Sequence, residues 1–487
     1  MAENPRELID RISIPADSVL RDVLDALDRG AVGAALLVDG DGRFVSLMTD
    51  GDVRRALLAG VELDAPASSA ERPEPVVGRA GMPAEEVSAL FDGRIRVIPL
   101  LDEERRVVDL ALLDRRTRLP VAEPLLGELE LRYVTECIVS GWISSAGTFV
   151  TRFEELFADF CGTRHAIAVG NGTEALHLAL LAMDVGPGDE VIVPTLTFIA
   201  TANAVTYTGA SAIPVDSEPV TWNLDPAQVE AAITPRTKAI LPVHLYGHPA
   251  DVDALLEIAD RHGLALIEDA AEAHGATYKG RPVGGIGDVG VFSFYGNKIV
   301  TTGEGGMIVT DRDDLAERMR ILRAHGMSSD RRYWHPVLGY NYRLTNLQAA
   351  VGVAQMERVD EILRAKRTVS DRYTQGLAGI PGVTLPPEEP WATNVFWLYS
   401  ILVDEREFGM SRDALLAALD ADGIEGRPFF PPIHRQPLYD VGRSLPVAER
   451  LAGAGLSLPS AVSLSEADVA RVVDTIARLA RQGALAR

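Results

Sequence analysis

The sequence predicts a central α/β domain with a largely parallel sheet, set between a repeated α+β pair at the front and a smaller α+β domain at the end. Three observations predict it. Between about residues 151 and 385, short apolar runs alternate with helix-like stretches, the pattern of strands joined by crossover helices. Within the first 118 residues the order helix, apolar run, polar turn, apolar run occurs twice, with Asp39 and Asp102 aligned 63 residues apart. Beyond residue 385 the chain mixes extended runs, a Pro-rich stretch and one long helical segment. The expected domains are 1–118, 119–385 and 386–487, with 119–150 a connector punctuated by Pro120 and Pro124.

Each element has a local cause. In the first repeat, Leu20, Val23, Leu24 and Leu27 fall at helical spacing. The runs 34–38 and 44–48 flank an Asp-Gly-Asp-Gly turn, which reads as a hairpin. The second repeat places a helix around Val87, Leu90 and Phe91 and strands over 97–101 and 107–113. Neither copy can bury its apolar face alone, so the two are expected to pack as a pair. In the central domain, strands are expected at 166–169, 190–193, 239–243, 265–267, 290–294 and 306–309, and helices at 173–183, 226–233, 251–262 and 313–324. The last domain carries an extended run over 396–403, a Pro-rich loop over 427–437 and a helix over 465–481.

Composition narrows the function classes. A chain of 487 residues has room for two to four domains. The formal charge of −23 argues against non-specific nucleic-acid binding and against anionic membranes. No apolar run is long enough for a membrane span, and the first residues do not read as a signal peptide, so the cytoplasm is the expected compartment. Cys137 and Cys161 are too few for a Cys-rich zinc site or a disulfide framework. His244 and His248 are four apart, but the Gly and Pro around them argue against a helix, and no metal site is expected. The chain has four lysines, Lys238, Lys279, Lys298 and Lys366, against 43 arginines. Any chemistry that needs an amine therefore has few candidates.

Lys298 stands out among them. It follows the apolar run 290–294 in Phe-Ser-Phe-Tyr-Gly-Asn-Lys. A partly desolvated lysine at a strand end has a lowered pKa and suits Schiff-base chemistry. Asp269 ends the run Ile-Glu-Asp, and the carboxyl ends of strands are where open α/β sheets bind ligands. Gly170-Asn-Gly-Thr173 opens a helix, whose N-terminal amides can receive a phosphate. Phe198 could stack on a flat ring. Pyridoxal 5'-phosphate (PLP) needs this set: an amine, a carboxylate for the ring nitrogen and a phosphate cradle.

The order of these motifs resembles the fold type I (aspartate aminotransferase-like) PLP-dependent transferases, and among them the DegT-type sugar aminotransferases, over about residues 124–440. The resemblance rests on Gly-Asn-Gly-Thr-Glu-Ala-Leu (170–176), the run 193–203, Glu-Asp-Ala-Ala-Glu-Ala-His-Gly (268–275), residues 292–298 and the run 339–350. It implies that Lys298 binds the cofactor and shuttles protons, and that Asp269 pairs with the ring nitrogen. Gly172, Thr173 and Ser293 would hold the phosphate, and Phe198 would cover the ring. Glu272 would stand beside the ring hydroxyl, where many members have Gln or His. Asn341 would reach the phosphate of a partner subunit, which implies a homodimer or a higher homo-oligomer. The related sugar dehydratases have His in place of the lysine, so Lys298 favours transamination. The implied cycle is ping-pong, with L-glutamate as donor and a keto-sugar nucleotide as acceptor.

Residues 331–343 and 426–434 resemble perosamine synthases, which aminate GDP-4-keto-6-deoxy-D-mannose. Arg343, Arg427 and His434 are the candidate substrate contacts. A UDP- or dTDP-keto-sugar, or a cyclitol ketone, is the alternative acceptor; a nucleotide-sensing protein with a vestigial PLP domain is the alternative class. The front repeat resembles a pair of CBS domains. Thr49 and Asp52 match that family's ribose-binding pattern for an adenine nucleotide, whereas Leu112 and Arg115 occupy the aligned places in the second copy and do not. Sensing and assembly both remain open for this pair.

Overall fold

The computed structural model describes residues 5–30, 32–83, 86–87, 90–91, 95, 97–112, 118–440 and 442–485. They form two compact units, one ending at Arg118 and the other beginning at Leu119.

The front unit repeats itself in hydrogen-bonding detail. Strand Ser13–Pro15 runs parallel to Ala34–Val38, which pairs antiparallel with Phe44–Thr49. Gly78–Arg79 runs parallel to Val97–Leu101, which pairs antiparallel with Val107–Leu112. The turns match as well: the Asp39 N–H donates to the Arg43 carbonyl at 2.9 Å and the Asp102 N–H to the Arg106 carbonyl at 3.0 Å. Gly42 in one turn and Arg105 in the other both take positive φ, 76° and 62°. Leu20, Val23 and Leu27 bury against Ala35 and Leu37, as their spacing requires. The expected second helix lies partly outside the described residues, since 84–85 and 88–89 are not among them.

The second unit is built on a seven-stranded sheet. Its strands lie in the order His165–Val169, Gly306–Thr310, Val289–Ser293, Ala265–Asp269, Thr237–Ile240, Glu190–Pro194 and Ser211–Val215. All neighbours pair parallel except Gly306–Thr310, which is antiparallel on both sides. Alternate residues face two cores: Ala166 and Phe292 join the layer of Phe153, Phe157 and Phe294, while Ile167 and Val291 join that of Leu176 and Leu178. The sequence does not announce the edge strand Ser211–Val215, whose small residues and Pro214 weaken the strand signal.

A second, antiparallel sheet takes the order Val383–Thr384, Tyr399–Val403, Gly455–Leu458, Arg427–Pro428. Helices Val359–Leu377 and Glu466–Leu485 cover it through Tyr373, Leu377, Val472 and Ile476. The extended run expected from residue 396 begins only at Tyr399, because Phe396 turns the chain at φ 48°. No helix among the described residues is long and apolar enough to cross a membrane.

Candidate active site

Asp269 is the last residue of its strand, where the peptide ladder runs out and the side chain meets the crevice. The Asp269 Oδ2 accepts from the Thr201 hydroxyl at 2.8 Å and Oδ1 from the Ala271 N–H at 3.2 Å. Burial pushes its pKa up, against those two hydrogen bonds and the charge of Lys298. Its neighbour Glu268 points to the opposite face, by the two-residue period of a strand. There it accepts from the N–H groups of Gly284, Ile286 and Gly287 and meets His244 Nε2 at 3.1 Å. His244 Nδ1 accepts from the Ala250 N–H at 3.0 Å, and His248 is bonded to Pro249 and Glu389. The two imidazoles are structural ties between loops.

Lys298 sits on a short loop closed at its base. The Phe294 N–H donates to the Gly305 carbonyl at 2.8 Å, and the Thr302 N–H donates back to the Phe294 carbonyl at 2.9 Å. The Lys298 side chain is 11% exposed, with Nζ 3.9 Å from Glu272 Oε1. The same Nζ lies 3.7 Å from the centroid of the Trp397 ring. Burial lowers the amine's pKa, while Glu272 and Asp269 pull it back up. Glu272 is raised by burial to about 7, opposed by Lys298 and by the Tyr246 N–H, which donates to Oε2 at 2.7 Å. The two shifts run toward each other, which narrows the gap in proton affinity between the carboxylate and the amine.

Strand register brings the remaining parts alongside. Asp269 pairs with Val291, and Ser293 with Gly306. Helix Gly172–Ala182 opens beside them, capped by Asn171, whose side chain accepts from the Glu174 N–H. A Cβ on Gly172 would lie 2.8 Å from the Ser293 Cβ, so only glycine lets this helix end approach the strand. A hydroxyl and helix-terminal amides drawn together in this way fit a phosphate group. With the buried amine of Lys298 and the carboxylate of Asp269, the residues present fit the cofactor that the sequence leads one to expect. Phe198 is 56% exposed and packs against Phe430 at 5.8 Å.

The expected substrate residues divide. The Arg427 side chain is 45% exposed and 3.5 Å from Glu425. Asn341 and Arg343 are exposed and bonded to each other at 3.0 Å. His434 corrects its expectation: it is 0% exposed, with Nδ1 on the Thr195 hydroxyl at 2.7 Å and Nε2 on Glu449 at 2.9 Å. Both ring nitrogens are taken, one tying the 427–434 loop to the residue after strand Glu190–Pro194 and the other to helix Pro446–Ala454, so His434 anchors that loop instead of reaching substrate. Sequence reasoning missed Thr201, Trp397 and Tyr246 as site residues. Thr201 stands three residues after Phe198, the only local hint of a shared face.

In the front unit, Thr49 and Asp52 form a capping box for helix Asp50–Leu58. The Asp52 Oδ2 accepts from the Thr49 N–H and hydroxyl at 2.8 and 2.7 Å, and Oδ1 from Arg55 at 2.5 Å. The side chain of Leu112, and all of Arg115, lie outside what the structure describes.

Residues 124–477 match the DegT/DnrJ/EryC1/StrS aminotransferase family, and the chain belongs to it. Residues 6–59 match the CBS domain. Among individual relatives, the chain is 55% identical over 359 residues to a GDP-perosamine synthase of Caulobacter vibrioides, covering 73% of this chain and 96% of the relative. It is 45% identical over 359 residues to a GDP-perosamine synthase of Escherichia coli O157:H7, covering 74% and 97%. Among solved structures, S. venezuelae DesV in complex with a ketimine intermediate matches at a TM-score of 0.68 and 42% identity, over 74% of this chain and 99% of that one. DesI in the presence of its TDP-sugar product matches at 0.71 and 36%, over 75% and 94%. The fold class expected from the sequence is borne out by these likenesses.

Proposed function

We propose that this protein moves the amino group of L-glutamate to GDP-4-keto-6-deoxy-D-mannose, with PLP as its cofactor, forming GDP-perosamine. The observation that carries the reading is the Lys298 amine, buried between Glu272 and Trp397 on the loop that follows the strand ending at Ser293. The likeness to two GDP-perosamine synthases supports the acceptor. PLP, when bound, supplies an electron sink for the amino-bearing carbon. Lys298 is the group to hold it and to take up and return a proton at Nζ, which its lowered pKa favours. Asp269 offers the ring nitrogen a carboxylate that Thr201 keeps in one orientation. Gly172, Thr173 and Ser293 would hold the phosphate, Phe198 would cover the ring, and Glu272 would serve the ring hydroxyl. Arg343 and Arg427, both exposed, are the cations to meet the substrate's phosphates.

We place Asn341 in the phosphate site of a second copy, in a homodimer. The apolar residues Ile138, Val139, Trp142 and Ile143, exposed together at one helix end, support such an interface. We take residues 119–385 and 386–487 as the large and small domains of one enzyme. The cytoplasm suits its buried free thiols, Cys137 and Cys161. In the front pair, Thr49 and Asp52 are the residues for an adenine nucleotide, although their capping box by itself serves assembly. Titration of AMP and ATP into wild type and Asp52→Asn separates the two, and equal binding by both proteins removes the nucleotide reading. For the main activity, the purified protein should show PLP absorbance that bleaches with L-glutamate. A panel of GDP-, UDP- and dTDP-keto-sugars scored by product mass should then favour the GDP compound. No bleaching, or a product only from another nucleotide, refutes the corresponding part.

A further inference from the structure

Tyr246 is held at a cost. It takes φ 53° and ψ 16°, a left-handed conformation that a bulky residue rarely adopts. Gly247 follows at φ 102°, where a Cβ would lie 2.9 Å from the backbone nitrogens of Phe396 and Trp397. The turn is thus wedged against the segment that carries Trp397. Strain of this kind persists only where its surroundings enforce it. Two contacts explain what it secures. The Tyr246 N–H donates to Glu272 Oε2 at 2.7 Å. The Tyr246 hydroxyl accepts from the Phe430 N–H at 3.2 Å. Its ring stacks on Phe430 at 5.5 Å and 18°, and on Trp397 at 6.3 Å and 17°. Trp397 in turn lies under the Lys298 amine. One buried residue therefore touches the loop that bears Arg427 and the lysine's aromatic floor through its side chain, and the carboxylate beside the lysine through its backbone N–H.

We propose that Tyr246 is a positioning residue that couples the substrate loop 427–434 to the Glu272 carboxylate beside Lys298. Movement of that loop as Arg427 engages a sugar nucleotide shifts Phe430, which moves Tyr246 through its hydroxyl and ring. The Tyr246 N–H then changes its hold on Glu272, and with it the proton balance between Glu272 and Lys298. The charged groups that face Glu272 are Lys298 and Asp269, and both move with it in this balance. The inference rests on the PLP reading given above.

The test uses the full-length, PLP-loaded protein and compares wild type, Tyr246→Phe and Glu272→Gln. The primary readout is the pH midpoint of the bound cofactor's visible absorbance, with and without GDP-perosamine as the probe. In wild type the probe should displace that midpoint by about half a pH unit or more, equivalent to roughly 0.7 kcal/mol. Tyr246→Phe, which keeps the stack and removes only the hydroxyl, should lose most of the displacement. It should also slow the sugar half-reaction about tenfold more than the glutamate half-reaction. Glu272→Gln should abolish the displacement whatever residue 246 is. A midpoint that responds equally in wild type and Tyr246→Phe overturns the coupling, and so does a response that survives in Glu272→Gln. The second arm decides the matter should Tyr246→Phe fail to fold. A wild type without cofactor absorbance defeats the PLP reading instead, and is distinguishable from both.

Discussion

Replacing Lys366 by Met should stabilise the protein. Lys366 lies on helix Val359–Leu377, buried, with its amine donating to the Ser460 carbonyl. Desolvation is the one cause of its lowered pKa, which falls from 10.5 to about 7. The sign follows from linkage. The folded pKa lies below the unfolded one, so between about 7 and 10.5 the unfolded chain binds the proton more readily. Stability therefore rises with pH across that window and is depressed at its lower end. At 1.36 kcal/mol per pH unit, a folded value of about 7 costs about 4 kcal/mol at neutral pH. Met fills a similar volume without the charge but leaves the Ser460 carbonyl without its donor, a loss of about 1–3 kcal/mol. The expected net gain is about 2 kcal/mol at pH 7, shrinking toward pH 10. Urea unfolding of wild type and Lys366→Met at pH 7, 8 and 9 reads it directly. A variant no more stable than wild type at pH 7, with a difference that is flat in pH, would refute the buried neutral amine.

Four further outcomes follow from the same geometry. Lys298→Ala should lower transamination at least ~10²-fold while the phosphate cradle still retains PLP; glutamate-dependent turnover near the wild-type rate in that variant contradicts its role. Gly172→Ala should weaken PLP binding about tenfold, since the new Cβ falls 2.8 Å from the Ser293 Cβ. Cofactor titration followed by absorbance checks it, and unchanged affinity removes the close-approach argument. Thr201→Val should destabilise the protein by about 1–3 kcal/mol, because a buried carboxylate loses a donor, and denaturant midpoints measure this. Thr49→Ala should cost the front unit about 1 kcal/mol through its helix cap, read from hydrogen exchange of the amides in helix Asp50–Leu58.

What the sequence showed and what it hid divide along chain separation. Lys298, Asp269 and the 170–173 turn could be read because each lies at the end of an apolar run that reports its own strand. The helix expected at 251–262 forms as Val252–His262 because a cap, a stripe and Gly263 are all local. Thr201 reaches Asp269 across 68 residues, and Thr195 reaches His434 across 239. No spacing rule spans such distances, so the donor that orients Asp269 went unseen and His434 looked like a substrate contact. The antiparallel member of the seven-stranded sheet was hidden for a similar reason. Gly306–Thr310 has the same buried apolar pattern whichever way it runs.

That reversed strand has a bearing on how the enzyme turns over. Because the chain doubles straight back from Ser293 to Gly306, the lysine rides on a loop pinned at its neck by two peptide hydrogen bonds. The amine can swing on its own side-chain torsions, but its backbone has no hinge with which to retreat from a finished product. The freedom to open then belongs to the other wall, where the start of the loop 427–434 is laced to strand Gly455–Leu458 and its later residues meet the large domain through the Tyr246 hydroxyl, the Thr195 side chain and the Ile433 N–H. Departure of product is a matter for that wall, and variants that speed or slow release should map there and leave the loop around Lys298 untouched.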